Sequence, residues 1–197
     1  MSLEKLRPRP QGNLRETLIE AGLTLLKRDG LSGLTLRKCA ALAGVSHAAP
    51  AHHFDGVAGL LDAIAARGFT IFADAMEAEA ARGPDEPRAR LEAICVAYFE
   101  FAKAHPDLFD LMFRQVWPIG GRAEELGVAG ARAYGVLVSA CAPFVPPGTD
   151  PGVVESQVWS LIHGYAVLVL VGKLGANRPI VPVAEVLALL QRLELPA

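Results

Sequence analysis

Cysteine is scarce: three in 197 residues, at Cys39, Cys95 and Cys141. The odd count, the wide spacing and the placement inside helical patterns argue against a disulfide framework and a zinc site, and for reduced, buried thiols. Strand signals are missing too. No stretch alternates apolar and polar residues, and no internal repeat or low-complexity tract appears. Enzyme signatures are equally absent. There is no Gly-rich phosphate loop, no G-x-S-x-G, no Cys-x-x-Cys and no H-E-x-x-H. No catalytic residue, metal ligand or cofactor is therefore assigned. His52 and His53 are adjacent on a helical pattern, point about 100° apart, and cannot chelate one ion as an i, i+4 pair would. The most apolar stretch, residues 158–172, has fifteen residues and includes His163. That is short of the ~20 a bilayer requires, so a buried helix is expected and no membrane partner. The first residues lack an apolar h-region, which makes the cytoplasm the expected compartment.

What is present is helical. Over half the residues are apolar, 52%, enough for a substantial core. The formal net charge of −2 hides an asymmetry. Residues 1–54 hold eight Lys/Arg against four Asp/Glu, and the remainder eleven against seventeen. A basic head on an acidic body fits a head that meets phosphate.

The stretch from Thr35 to Phe54 organises the rest. Thr35 is a good N-cap, and Leu36, Cys39, Ala40 and Ala43 put one apolar face on a helix over 36–43. Gly44 supplies a left-handed terminator. Ser46 is a natural cap for a second helix over 47–53. Helix, glycine corner and helix at this spacing is a helix-turn-helix, whose second helix lies in the major groove of DNA. On that helix His53 is expected to face inward with Phe54, and His52 outward. Pro50 sits at the limit of where a helix tolerates proline.

The run A-G-V-S-x-x-x-x-x-x-H-F, with Gly30-x-x-x-x-Thr35 before it and Leu60-Leu61 after it, resembles the DNA-binding domain of TetR/AcrR-type transcriptional regulators. The spacing Trp159-x-x-x-His163-Gly164, with His105-Pro106-x-Leu108-Phe109-x-x-Met112-Phe113, resembles the C-terminal domain of one branch of that family. The resemblance implies an all-α protein of about nine helices. It has a helix-turn-helix domain over 13–56 and a helical effector-binding and dimerisation domain over 57–197. Residues 1–12 read as a flexible basic arm. Two positions depart from the family pattern. Ala51 stands where a tyrosine is usual, and Val57 where a lysine is usual, so two phosphate contacts are lost. This leaves open a second possibility, a small-molecule-binding protein with weakened or lost operator recognition.

Along the chain, Asn13 is the expected cap of a helix to about residue 29, striped by Leu14, Leu18, Ala21, Gly22 and Leu25. Long helices are expected over 57–81, 88–104, 122–142 and 150–175, a short one over 107–116, and a last one over 183–193. The family's linking helix, here 57–81, joins head to body. In the family the last two helices of each subunit form the dimer interface, which implies a homodimer.

The DNA-contact residues implied by the motif at 34–53 are Thr35, Arg37, Lys38, Ser46, His47, Ala48, Ala49, His52 and His53. Thr35, Arg37, Lys38 and Ser46 suit phosphates. His47 and His52 suit base edges or phosphates, and Ala48 and Ala49 allow close approach and contact with thymine methyls. The partner is double-stranded DNA carrying a palindromic operator, read by two protomers. Aromatic and sulfur side chains of the body suggest an effector pocket: Phe72, Met76, Tyr98, Phe101, Phe109, Met112, Phe113, Trp117, Tyr134, Trp159 and His163. Arg114 and Gln115 are further polar neighbours. An apolar or aromatic small molecule suits such a lining better than a sugar or phosphate.

Overall fold

The computed structural model describes residues 14–83, 85–114, 124–176 and 179–192. The basic arm, Asn13, Gln115 and Trp117 lie outside them, as does the side chain of Arg114. Among the described residues the chain forms eight α-helices, four short 3-10 segments and no strand. The all-α expectation holds. The ninth expected helix, over 47–53, is instead a turn followed by a 3-10 segment, Ala49–His52.

The chain divides into two compact units, residues 1–64 and 65–197. In the first, α1 (Leu14–Asp29) buries Leu18, Ile19, Ala21, Gly22, Leu25 and Leu26. It packs on α2 (Leu36–Ala43), which buries Cys39 and Ala40. Leu60 and Ile64, early in α3 (Gly56–Arg82), complete this core. Gly22 is where α1 approaches them: a Cβ there would lie 2.5 Å from Ile64 Cδ1.

In the second unit, α4 (Pro87–Ala104) is central and packs against α5, α6, α7 and α8. Its start is fixed locally. Glu86 caps it, accepting from the N–H groups of Arg88 at 3.0 Å and Ala89 at 2.7 Å, and Pro87 opens the first turn. The cap holds the Glu86 carboxyl below its ordinary pKa, chiefly through the Ala89 and Arg88 N–H groups. His105 ends α4, and Pro106 starts α5 (Pro106–Arg114), as the sequence expects. Gly68 of α3 lets α5 come close, since a Cβ there would lie 2.7 Å from Met112 Sδ. The inward stripe of α6 (Glu124–Cys141) is Leu126, Ala129, Ala133, Leu137 and Ala140. Asp150 caps α7 (Pro151–Leu170), accepting from the Gly152 N–H at 3.0 Å.

Two helix ends differ from expectation. α7 stops at Leu170, because Gly172 at φ 69° turns the chain several residues before 175. The last helix shortens to α8 (Val183–Leu187) followed by 3-10 turns over Ala188–Arg192. Leu187 and Leu190 are buried there. The Arg88 guanidinium donates to the Leu190 carbonyl and stacks 5.3 Å over the Phe144 ring, which ties this segment to α4.

Among the described residues, three helices are long and apolar enough, by length and composition, to cross a membrane: Gly56–Arg82, Glu124–Phe144 and Pro151–Leu170. Each turns a buried face to its neighbours, and α3 also carries charged side chains along its length.

Candidate functional site

Two places carry functional geometry, one in each unit. The first is the corner after α2. Thr35, extended at φ −141°, accepts the Lys38 N–H on its hydroxyl at 3.2 Å. Gly44 ends the helix in the left-handed region at φ 71°, ψ 31°. Its N–H bonds the Ala41 carbonyl at 3.2 Å, and the Val45 N–H bonds the Ala40 carbonyl at 3.0 Å. This is a Schellman motif, which satisfies two free carbonyls and sets the exit direction of the chain.

The segment that follows departs from expectation. Ser46 makes no side-chain cap. Its carbonyl accepts from the Ala49 N–H at 3.0 Å in a turn, and the 3-10 segment begins after Ala48. The cause is Pro50. Without an N–H it must sit in the first turn, so the helical winding begins around it, later than Ser46 would start it. Pro50 and Phe54, four residues apart, take the two inward positions. His53, expected inside, is therefore exposed, with its ring 6.4 Å from that of Phe54.

Of the residues assigned to DNA, Thr35, Arg37, Lys38, Ser46, His47, Ala48, His52 and His53 are exposed and Ala49 is half-buried. Lys38 is partly engaged, with Nζ 3.5 Å from Asp29. Asp29 is also gripped by the Arg28 guanidinium at 2.7 and 2.9 Å. That grip, with Lys38 adding to it, draws the Asp29 carboxyl down to about 2. Ala51 is exposed and Val57 is 40% exposed, so larger side chains at both positions would have room.

The second place is a cavity of about 370 Å³ in the second unit. Among the expected lining residues, Phe72, Met76, Tyr98, Met112, Phe113, Tyr134 and Trp159 surround it. Phe69, Ile94, Cys95, Gly130, Ala133, Leu137 and Ile162 complete the wall. Phe101, Phe109 and His163 do not line it. Phe101 backs Phe72, ring to ring at 4.9 Å. Phe109 and His163 border an adjoining groove beyond Phe113, which lines both spaces.

The rings lock one another largely edge to face. Phe72 meets Tyr98 at 4.7 Å and 78°, and Phe69 meets Phe113 at 5.5 Å and 76°. Polar atoms are few and paired. The Trp159 Nε1–H donates to the Tyr98 hydroxyl at 3.3 Å, and that hydroxyl lies 2.7 Å from His163 Nδ1. Burial lowers the His163 pKa below its ordinary value, so the ring is neutral at pH 7. Burial also raises that of Tyr98. Tyr134 donates to the carboxylate of Glu155, which is only 8% exposed. This bond, with the nearby charge, raises the Tyr134 pKa. Cys95 in the wall is pushed up to about 12 by burial, so it stays a thiol. Arg132 fastens α6 to α3 through Asp74 at 2.7 Å and Glu77 at 2.6 Å.

The missed wall residues were visible in part. Ala133 and Leu137 belong to the inward stripe of α6 and Gly130 lies beside it, where small side chains leave volume unfilled. Among the described residues no cluster of three His, Cys, Asp or Glu could hold a metal.

A family model described as the C-terminal domain of tetracyclin repressor-like proteins matches residues 91–190. An uncharacterised HTH-type transcriptional regulator of Mycobacterium tuberculosis is 26% identical over 167 residues, covering 83% of this chain and 73% of the relative. A protein of unknown function from Rhodococcus sp. RHA1 superposes with a TM-score of 0.77 at 34% identity, over 94% of this chain and 95% of that one. A TetR family transcription regulator from Marinobacter aquaeolei VT8 shares the fold at a TM-score of 0.59 and 20% identity, over 83% and 86% of the two chains.

Proposed function

The chain belongs to the TetR family of transcriptional regulators, and from that premise we propose that it is a cytoplasmic homodimeric repressor, released from a palindromic operator by a small apolar effector. The observation that carries the reading is the corner at Gly44. A capped helix turns through a Schellman motif into an exposed segment bearing His47, Ala48 and His52. Arg37, Lys38, Thr35 and Ser46 flank it as phosphate ligands, and the α2 N-terminus adds backbone N–H donors. His47 and His52 read base edges, with Ala48 and Ala49 against thymine methyls. Two protomers read half-sites about 34–36 Å apart, or a multiple of that spacing.

The outward face of α7 supports the dimer. Val153, Leu168 and Val171 are exposed, and Ser160 and Gly164 between them would allow a second helix close. The segment after α7 buries Leu187 and Leu190 but leaves Ile180, Val181 and Leu189 exposed, so α7 and that segment both offer apolar surface to a partner. The effector occupies the aromatic cavity. Its occupancy changes the course of α3, whose first turns belong to the head, and the two heads then no longer match the operator spacing.

Capturing genomic fragments on the purified dimer tests this. Enrichment of one palindromic sequence is expected, and uniform recovery of all fragments would contradict it. Ala51 and Val57 favour a second reading, a small-molecule binder without operator recognition. That reading predicts ligand-induced thermal stabilisation and no enrichment at any salt concentration.

A further inference from the structure

The cavity's chemistry narrows what it can hold. We propose that it is selective for an uncharged, planar, two-ring compound bearing a single hydroxyl or carbonyl, which Tyr98 reads. This rests on the effector reading above and names the ligand class of that same site.

Size comes first. A cavity of about 150 Å³ lined by apolar side chains holds one benzene, and this one offers about 370 Å³. Two fused or linked rings fit that space. The walls suit flat rings, because Phe69, Phe72, Tyr98 and Phe113 hold one another in place, and Trp159 is held by the Tyr134 ring and the Tyr98 hydroxyl.

Charge comes second. Among the described residues, no Lys, Arg, Asp, Glu or His lines the cavity. A carboxylate brought inside would lose water and meet no cation among those lining residues. Among the described residues, the buried charged one nearby is Glu155, held by the Tyr134 hydroxyl that does line the wall. Its sign opposes an anion further. A cation gains attraction from the rings, but the carboxylate that would complete its shell is already engaged and lies outside the lining.

Specificity comes third, and Tyr98 supplies it. Its oxygen accepts from Trp159 Nε1–H and pairs with His163 Nδ1. The neutral imidazole carries one N–H. With that proton on Nδ1, His163 donates to Tyr98, and the tyrosine O–H is free to donate to a ligand carbonyl. With Nδ1 bare, Tyr98 donates to it and keeps a lone pair for a ligand hydroxyl. One hydrogen bond is left over in either tautomer, and its polarity follows the ligand.

Calorimetry on the full chain at pH 7.5, with four probes sharing one naphthalene core, tests this. The probes are 2-naphthol, 2-methylnaphthalene, 2-naphthoate and the 2-naphthyltrimethylammonium ion. 2-Naphthol should bind tightest. Tyr98→Phe keeps the ring and should remove about five- to tenfold of the preference for 2-naphthol over 2-methylnaphthalene, leaving the methyl compound unchanged. Gly130→Leu should abolish binding of all four while raising helix propensity. A Cβ at Gly130 meets nothing within 4 Å, so the side chain has room at its root and its branches enter the cavity; an unchanged thermal midpoint confirms that the variant folds. Equal or tighter binding of the naphthoate or the ammonium ion would overturn the proposal. So would an unchanged preference in Tyr98→Phe, or no binding by any probe. Release from DNA by a charged compound that does not compete with 2-naphthol would overturn the ligand class but leave the regulator standing. The expected ranking in a protein that never binds DNA would do the reverse.

Discussion

Gly44 holds φ 71°, and nothing lies within 4 Å of the place its Cβ would occupy. Gly44→Ala therefore isolates backbone strain from packing. It should lower stability by about 1–2 kcal/mol, measured by urea denaturation, with the helix content of the folded state unchanged. Asp29 gives a second residue-scale test. Its carboxyl sits at about 2, below the ordinary ~3.9. A depressed carboxylate adds stability that is complete above the unfolded pKa and lost as pH falls through the folded one. The contribution should thus disappear between about pH 4 and pH 2, and Asp29→Asn should flatten the stability profile in that window. The side chain is reached by solvent, so the effect is small. Thr35 and Gly44 were legible in the sequence because caps and left-handed turns depend on a few neighbouring residues. His53 was not. Whether it or Pro50 turns inward is decided by the packing of Pro50 and Phe54, not by its own neighbours along the chain.

Helix boundaries were readable wherever a chemical stop existed. Glu86-Pro87, His105-Pro106 and Asp150-Pro151 each fixed an end within a residue or so. The element after Ser46 was misjudged, because a cap residue and a proline compete for the same first turn and the proline prevails. The resulting 3-10 segment is shorter than an α-helical reading head and lacks the tyrosine that the family pattern places at Ala51, and the start of α3 lacks the lysine it places at Val57. Ala51→Tyr with Val57→Lys should tighten operator binding. The lysine should also steepen the dependence of log K on log salt by about 0.9 per added phosphate contact. An unchanged affinity and slope in fluorescence titrations would mean that this segment does not face phosphate. On α6 and α7 the apolar periodicity was plain, yet the cavity was not. Volume left empty by Gly130 and Ala133 depends on how far apart the opposing helices stand, which no single stripe records.

For the whole molecule, the account requires two copies. α7 leaves Val153 and Leu168 exposed, at 45% and 44%, and Val171 at its C-cap is 55% exposed. Leu168→Lys with Val153→Lys should leave the helical fold intact and shift sedimentation from dimer to monomer, with loss of operator affinity. A mutant that stays dimeric would place the interface elsewhere. Charge and motif put the boundary between head and body after residue 56, whereas the compact units divide after residue 64. The proposed pairing of copies has only exposed apolar surface behind it, because a symmetric interface leaves no mark within one chain other than a face without a neighbour. The most direct measurement is fluorescence anisotropy of a labelled duplex from the DNA flanking the protein's own gene, titrated with purified protein at low and moderate salt. Saturation at two protomers per operator, weakening steeply with salt and reversed by a ligand of the cavity, is the expected result. A folded dimer that leaves the anisotropy unchanged at low salt would contradict the account at its centre.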